Sequence, residues 1–352
     1  NADAAANCGI SAGTDSIIST LVMNQDTRLI GTKKTSVSNG FNIGANTLNI
    51  ANTGALDCSG NVTLNHADSR LLFSAAGRVD SNVVVSAVAN IGKGIDVDVS
   101  GARLYGDLTL DTSGNIDIAT NTTFFYEGAD IDINNNESLI LTGAGTTSIL
   151  EGTNNLKIND TGKLSIGGDI FLNIPITLAG AGTNTLDVSD NTLTYTGSSA
   201  ASIEVGARTL AFTGSGTLTN NATNTLDLDN TNSIVTLGGG TVGHVTQNAD
   251  AAANCGISAG TDSIINTLVM NQDTRLIGTA TTTVTNGFNI GANILNIANT
   301  GTLDCGGNVT LNNADSKLLF SAAGNVDGDV VVSATPNAGK GIDVDVSGAT
   351  MN

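Results

Sequence analysis

Pairs of aspartates two residues apart are the side chains of this sequence best suited to chemistry. Each pair brackets an apolar residue, so a β-strand would point both carboxylates to the same side. Stacked carboxylates supply oxygen atoms, and Ca²⁺ takes about six to eight oxygen ligands. The simpler interpretation is a solvated acidic face that keeps neighbouring molecules apart. The candidate weak calcium ligands are Asp96, Asp98, Asp130, Asp132, Asp343 and Asp345, and no other cofactor is indicated.

The four cysteines form a second candidate set, Cys8 with Cys58 and, at the same spacing, Cys255 with Cys305. One interpretation is a disulfide in each pair, which suits an oxidising exterior, and the other is four small buried thiols. Each pair is 50 residues apart. In the fold inferred below, that spacing is about two rungs, or roughly 10 Å of rise, whereas disulfide-bonded Cα atoms lie within about 7 Å. Both interpretations stay open, and without a Cys-X-X-Cys motif zinc is not indicated.

A long internal repeat organises the chain. Residues 1–105 align without gaps with residues 248–352, an offset of 247; they differ at 19 positions, so 86 of 105 are identical. Residues 106–247 have no second copy. We interpret residues 1–247 as one full unit of a tandem array and residues 248–352 as the start of the next copy. A single partial duplication is the alternative.

The repeat also tests candidate catalytic residues. Chemistry that every copy needs cannot depend on a residue that one copy lacks, and His66 becomes Asn313 while Lys34 becomes Thr281. No nucleophile–base pair recurs between the copies. We therefore expect no catalytic residue and no enzymatic activity.

Short runs with apolar residues two apart recur about every eight residues, as in Thr47–Ile50 and Leu108–Leu110. This period predicts half-buried strands, and the Asn, Gly, Asp and Ser clusters between them, such as residues 52–54, predict tight turns. Very short strands without a Trp anchor favour a solenoid over a sandwich. The sequence predicts an all-β, elongated parallel β-solenoid (a β-helix) with about 24 residues per rung and about ten rungs per 247-residue unit.

Residues 1–24 depart from this alternation. The apolar residues Ile17, Ile18, Leu21 and Val22 have spacings that a short helix could use, although Gly9 and Gly13 argue against a long one. The segment is a junction between solenoid segments, a lateral contact or a slightly irregular rung.

The segments NTLNIANTGALDCSGNVTLN (46–65) and NTLDVSDNTLTYTG (184–197) carry a resemblance. They resemble the passenger regions of bacterial autotransporters and filamentous-haemagglutinin-type surface adhesins. The likeness is compositional and covers most of the chain. It implies a right-handed parallel β-helix displayed outside a bacterial cell.

The charge balance narrows the function. Thirteen Lys and Arg against 32 Asp and Glu give a net charge of −19, which excludes binding to nucleic acid through a basic surface. No apolar run approaches the roughly 20 residues of a transmembrane helix. We expect a structural segment of a secreted extracellular filament, sheath or surface layer that self-associates end to end or laterally. The alternative is the stalk of a cell-surface adhesin that contacts a host or neighbouring cell through a tip outside this sequence.

Overall fold

The computed structural model describes residues 9–145, 147–197 and 202–352, and the regular structure of these residues is β-strand alone. By its internal contacts the chain divides into two compact units. The first is Asn1–Thr177 with Thr196–Ser199, and the second is Leu178–Tyr195 with Ala200–Asn352.

The strands up to the boundary between the units are short and evenly spaced. They are β1 Ile10–Ala12, β2 Ser16–Ile18, β3 Thr27–Gly31, β4 Thr35–Val37, β5 Phe41–Asn42, β6 Thr47–Ile50, β7 Ala55–Cys58, β8 Val62–Leu64, β9 Arg70–Phe73, β10 Arg78–Val79, β11 Val83–Val85, β12 Gly94–Val97, β13 Ala102–Leu104, β14 Leu108–Leu110, β15 Gly114–Ile118, β16 Thr123–Tyr126, β17 Ile131–Ile133, β18 Ser138–Gly143, β19 Ile149–Gly152, β20 Leu156–Asn159, β21 Lys163–Ile166, β22 Ile170–Asn173 and β23 Ile176–Ala179.

The strands of the second unit continue the series. They are β24 Thr183–Ser189, β25 Thr192–Tyr195, β26 Ile203–Glu204, β27 Thr209–Gly214, β28 Thr217–Thr219, β29 Leu226–Leu228, β30 Ile234–Gly238, β31 Thr241–Gln247, β32 Gly256–Ala259, β33 Ser263–Met270, β34 Thr274–Gly278, β35 Thr282–Val284, β36 Phe288–Asn289, β37 Ile294–Ile297, β38 Thr302–Cys305, β39 Val309–Leu311, β40 Lys317–Phe320, β41 Asn325–Asp327, β42 Val330–Val332, β43 Gly341–Val344 and β44 Thr350–Met351.

Within each unit the strands form parallel sheets that the chain visits in turn, which is the arrangement of a β-solenoid. The first face of unit one is β1-β3-β6-β9-β12-β15-β18-β21, and that of unit two is β24-β27-β30-β32-β34-β37-β40-β43. A second face contains β4-β7-β10-β13-β16 in unit one and β33-β35-β38-β41-β44 in unit two. A third contains β5-β8-β11-β14 and β36-β39-β42. The predicted all-β parallel solenoid is confirmed, with about 23 residues per rung in place of 24.

The core consists of columns of aliphatic side chains from successive rungs. In the first unit, the paired residues Leu48, Leu71, Ile95, Ile116 and Leu141 follow one another on the first face, each at most 1% exposed. Full burial of such a side chain contributes roughly 1.5–3 kcal/mol. Because each residue is covered by its partners in neighbouring rungs, the core runs through the stack and no single rung contains it.

The 247-residue repeat equals a whole number of rungs. The sequence of β1 repeats in β32, so one period runs from β1 to the strand before β32. Eight first-face strands of this period lie in the first unit and three lie in the second, which gives eleven described strands per period. The register is the same in both copies, with Ile10 opposite Leu29 and Ile257 opposite Leu276. Equivalent residues therefore return to the same face in each copy.

One segment takes two forms in the two copies. Residues 263–270 form the eight-residue strand β33, which pairs with β31 on one edge and β35 on the other. The equivalent residues 16–23 differ at one position only, yet form the three-residue strand β2, which pairs with β4. The helix interpretation of this segment is wrong, since neither set of residues, 16–23 or 263–270, forms a helix. In the second copy, residues 267–270 pair with β31 and continue the strand.

We expect hydrogen–deuterium exchange to distinguish these copies. Amides in residues 263–270 should exchange at least about tenfold more slowly than those in residues 16–23, because β31 pairs with β33 along most of its length, whereas residues 19–23 form no strand. The two peptides differ in mass because Ser19 is replaced by Asn266. Equal protection of the two segments would contradict the dependence of the strand on its neighbour.

Candidate functional site

Asp96, the first member of the first predicted acidic pair, forms a part-buried ion pair with a residue of the neighbouring rung. Arg70 opens β9 and stands opposite Gly94 of β12, which brings its guanidinium to Asp96 on the same strand. The Arg70 Nε donates a hydrogen bond of 2.7 Å to Asp96 Oδ2, and Nη2 contacts the same oxygen. Asp96 is only 7% exposed. The expectation that Asp96 belongs to a solvated acidic face is therefore wrong, because a cation from the preceding rung covers it.

Two further carboxylates lie close to this ion pair. Asp117 stands opposite Asp96 in the pairing of β12 with β15, and Asp98 follows the end of β12. Burial raises the pKa of Asp117 and of Asp98, and the negative charge of Asp96 raises both pKa values further. The single Arg70 guanidinium opposes this effect. The arrangement therefore holds more negative than positive charge.

The second copy keeps the ion pair with a different cation. Lys317 replaces Arg70, and its Nζ lies 2.6 Å from Oδ2 of Asp343, the equivalent of Asp96. Asp343 is more exposed than Asp96, and Asp345 is exposed beyond the end of β43. The contact between rungs is thus common to both copies although the side chain that makes it has changed.

The remaining predicted pair also meets a cation from the next rung. Lys157 of β20 stands opposite Asp132 of β17, and its Nζ lies 3.0 Å from Asp130 Oδ2 and 3.7 Å from Asp132 Oδ1. The backbone N–H of Asn155 donates to Asp130 Oδ1 at 2.8 Å. This hydrogen bond lowers the pKa of Asp130, and the Lys157 contact lowers it further.

All three predicted pairs therefore supply a carboxylate to an ion pair across a rung boundary. Among the described residues, no group of three or more His, Cys, Asp or Glu side chains is arranged to hold a metal ion. One aspartate of each predicted pair lies within a strand, namely Asp96, Asp132 and Asp343, and the other lies just outside it. The sequence pattern carried no information about which cation would face them. Calcium binding stays a prediction.

The described cysteines are buried free thiols. Cys58, Cys255 and Cys305 are all unbonded, and Cys8 lies outside the described residues. Cys255 directly precedes β32 on the first face, whereas Cys305 ends β38 on the second face, two rungs further along. Burial raises the pKa of Cys58, and it raises the pKa of Cys305 to about 12. Cys255 and Cys305 are not bonded to each other in this structure, and disulfide formation by either pair stays a prediction.

Sequence analysis missed a buried asparagine that both copies contain. Asn52 and Asn299 are 3% and 2% exposed, and no described residue hydrogen-bonds to either side chain amide. Gly77 lies against Asn52, where a Cβ would come within 2.4 Å of the Asn52 carbonyl oxygen. We interpreted residues 52–54 as a tight turn because Asn and Gly are common in turns. Recurrence in the second copy does not distinguish Asn52, because 86 of 105 positions recur.

An apolar cleft lies beside Val88 and Ile91 of the first copy. Val88 and Ile91 are exposed at 58% and 103% and, with Ile140 and Thr142, line a cleft of about 180 Å³. In the second copy, Val88 and Ile91 are replaced by Thr335 and Ala338. The cleft is therefore not a feature that every copy needs.

The greatest contrast between the copies lies at β42, β43 and β44, which we call the exposed edge. Ile342 and Val344 are 41% and 54% exposed, whereas their equivalents Ile95 and Val97 are 1% and 0% exposed. The difference follows from coverage, because β15 pairs with β12 and no described strand pairs with the corresponding side of β43.

Comparisons with protein-family models, with curated proteins and with solved structures gave no match for this chain. The described residues contain no helix long and apolar enough to span a membrane. The class that the structure defines is the β-solenoid repeat proteins.

We expect the thiols to react slowly in the folded protein. With a pKa of about 12, the Cys305 thiol at pH 8 is ionised in only on the order of one molecule in ten thousand. Alkylation of Cys58 and Cys305, followed by peptide mass analysis, should therefore be at least about 100-fold slower in buffer than in denaturant. Recovery of a Cys255–Cys305 linked peptide without reductant would contradict this result and support the disulfide.

We expect Asp117→Asn to stabilise the protein at neutral pH. Because the folded-state pKa of Asp117 is raised, its carboxylate destabilises the fold at neutral pH, and this destabilisation is relieved as the pH falls through that pKa. The variant should raise the Tm at pH 7 by up to roughly 3 °C, and the gain should shrink on acidification.

Asp130→Asn is the matched control with the opposite sign. The folded-state pKa of Asp130 is lowered, so its contribution to stability is present above the unfolded-state pKa and is lost as the pH falls through the folded-state pKa. This variant should lower the Tm at pH 7 and approach the parent protein in acid. Equal shifts of both variants in thermal unfolding would contradict the assignment.

Proposed function

We propose that this chain is a structural segment of a secreted extracellular filament, sheath or surface layer, assembled through stacked β-solenoid rungs. The single observation that carries the proposal is the identical register of β1 on β3 and of β32 on β34. A unit that contains a whole number of rungs can repeat without disturbing its inward columns. This is the property that an array of such units requires.

The polar groups support a mechanical role. Arg70 with Asp96, and Lys317 with Asp343, connect adjacent rungs. No nucleophile–base pair recurs between the copies, so we propose that the protein has no enzymatic activity. Its location outside a bacterial cell rests on composition and on the resemblance to surface adhesins.

An adhesin stalk is the second candidate. The apolar cleft around Val88 and Ile91 favours it. Thr335 and Ala338 replace these two residues in the second copy, and a surface that differs between copies suits contact with another partner better than it suits repetition. A non-repeating head or a membrane anchor encoded beside these repeats would favour the stalk. Further near-identical copies would favour the filament.

We expect electron microscopy of the native material to show long thin fibres. Their power spectrum should contain a meridional reflection near 4.8 Å from the spacing of strands. Eleven rungs per period would give an axial repeat of about 53 Å. Cross-β aggregates also give the first reflection, so the 53 Å repeat is the discriminating one. Thermally denatured material is the control, and compact particles without the long repeat would contradict the proposal.

A further inference from the structure

The two copies of the repeat carry different charge. Residues 1–105 contain seven Lys and Arg and eight Asp, whereas residues 248–352 contain three Lys and Arg and nine Asp. Three positions keep a cation in both copies, and at four positions the second copy has an uncharged residue instead. The four cations that the second copy lacks are Lys33, Lys34, Arg78 and Arg103. The charge difference is therefore concentrated at a few positions.

These four cations lie at one surface, the outer side of the second face. Arg78 and Arg103 stand opposite each other where β10 pairs with β13, and Lys34 directly precedes β4, two rungs earlier. Val79 follows Arg78 and is fully buried, so the Arg78 side chain, which is 49% exposed, points away from the core. Lys33 is exposed beside Lys34. The first copy thus presents a row of cations along this face.

The cations of this row contact carboxylates of their own molecule without being enclosed by them. Lys34 forms an ion pair with Asp57, and Arg78 Nε lies 3.1 Å from Asp80 Oδ1. Both pairs are open to solvent, because each of the four side chains is at least 24% exposed. A guanidinium has five N–H donors, so Arg78 can hold Asp80 and a second carboxylate at the same time. The row therefore keeps the capacity to bind an anionic partner.

The second copy keeps the aspartates beside this row and loses their cations. Asp304 and Asp327 occupy the two equivalent positions and stand opposite each other where β38 pairs with β41. Thr281 and Asn325 replace the cations, and no described Lys or Arg forms an ion pair with either aspartate. Thr283 Oγ1 donates to Asp304 Oδ2 at 3.2 Å, which leaves the negative charge in place. The outer second face of the second copy is therefore an acidic surface.

The two surfaces also agree in spacing. Neighbouring strands of a parallel sheet lie about 4.8 Å apart, and this distance separates the rung of Arg78 from that of Arg103 and the rung of Asp304 from that of Asp327. Both cations can therefore meet both carboxylates when two solenoids lie side by side. A single exposed ion pair contributes little, so binding depends on several pairs and on their repetition along the array.

We propose that the second face of the first copy binds the second face of the second copy in a neighbouring molecule of this chain, with Arg78 and Arg103 against Asp304 and Asp327. The inference rests on the proposed filament role and deepens it, because it names the lateral surfaces that join neighbouring molecules. Contact between two second-copy surfaces would bring carboxylates together, and contact between two first-copy surfaces would bring cation rows together. Neighbouring molecules are therefore staggered, with the first copy of one beside the second copy of the next.

Arg78→Lys allows this contact to be captured, because the substitution keeps the positive charge and supplies an amine. A zero-length carbodiimide joins such an amine to a carboxylate in contact with it. In an equimolar mixture of unlabelled and isotope-labelled chains that carry the substitution, mass spectrometry should find position 78 of one chain linked to Asp304 or Asp327 of the other. Lys93 lies between β11 and β12, outside the second face, and is the internal control that should give no such link between chains.

Lys34→Thr combined with Arg78→Asn tests the binding energy of the surface. The fold should tolerate both changes, because the second copy has these residues at the equivalent positions. The dissociation constant for self-association, measured by analytical ultracentrifugation, should rise at least about tenfold. Lys93→Asn combined with Lys340→Asn is the matched control, because it removes two cations that lie outside the second face, and it should change the constant less than about twofold.

Charge reversal provides a rescue that only a direct contact predicts. Asp304→Lys with Asp327→Lys in one chain should weaken self-association, as should Arg78→Asp with Arg103→Asp in another, and mixing the two chains should restore association. Failure of the mixture to associate, equal weakening by the matched control, or absence of links between position 78 and the two aspartates of another chain would each overturn the proposal.

The axial repeat of the fibres tests the proposed function separately. Fibres with the repeat of about 53 Å but without links from position 78 to another chain would leave the proposed function standing and sink this inference alone. Such links in particles that lack the axial repeat would support the lateral contact and contradict the filament.

Discussion

Each rung of this protein depends on the rungs beside it for its burial. A rung of about 23 residues has no core of its own, because its inward side chains are covered by the equivalent side chains above and below. Ile95 and Ile342 have the same sequence neighbours, yet one is buried and the other is 41% exposed. Even secondary structure follows coverage, as β2 and β33 show. Stacking is therefore the interaction from which burial and strand length both follow.

This dependence explains which positions differ between the copies. The inward columns are almost unchanged, and where Leu104 gives way to Met351 the side chain stays apolar. Changes concentrate on outward positions, where Lys34 is replaced by Thr281 and Arg78 by Asn325. An outward residue alters the lateral surface and leaves the column intact. The axial contacts are thus the constrained part of the molecule, and the lateral surfaces are free to vary.

The sequence was sufficient for the fold because its decisive signals are local. Alternation of apolar residues and clusters of turn-forming residues are each visible within a few residues of the sequence. The alternation corresponds to alternating burial in strands such as β15 and β17. Contacts across a rung boundary are different. Arg70 and Asp96 are 26 residues apart, and their meeting depends on the register of β9 against β12. Rung lengths vary between 19 and 26 residues, so the sequence does not reveal that register in advance. The burial of Asn52 was missed for the same reason.

The acidic residues favour one alignment of neighbouring rungs over shifted alignments. Asp96 stands opposite Asp117, so correct stacking brings like charges together, and Arg70 reaches Asp96 only when β9 and β12 are in register. A shift of β9 against β12 would leave Asp96 opposite Asp117 and remove the Arg70 guanidinium, which penalises that misalignment. Electrostatic repulsion from the net charge of −19 also opposes non-specific association between molecules. Apolar columns supply the attraction between neighbouring rungs, and the ionic pairs restrict that attraction to one register.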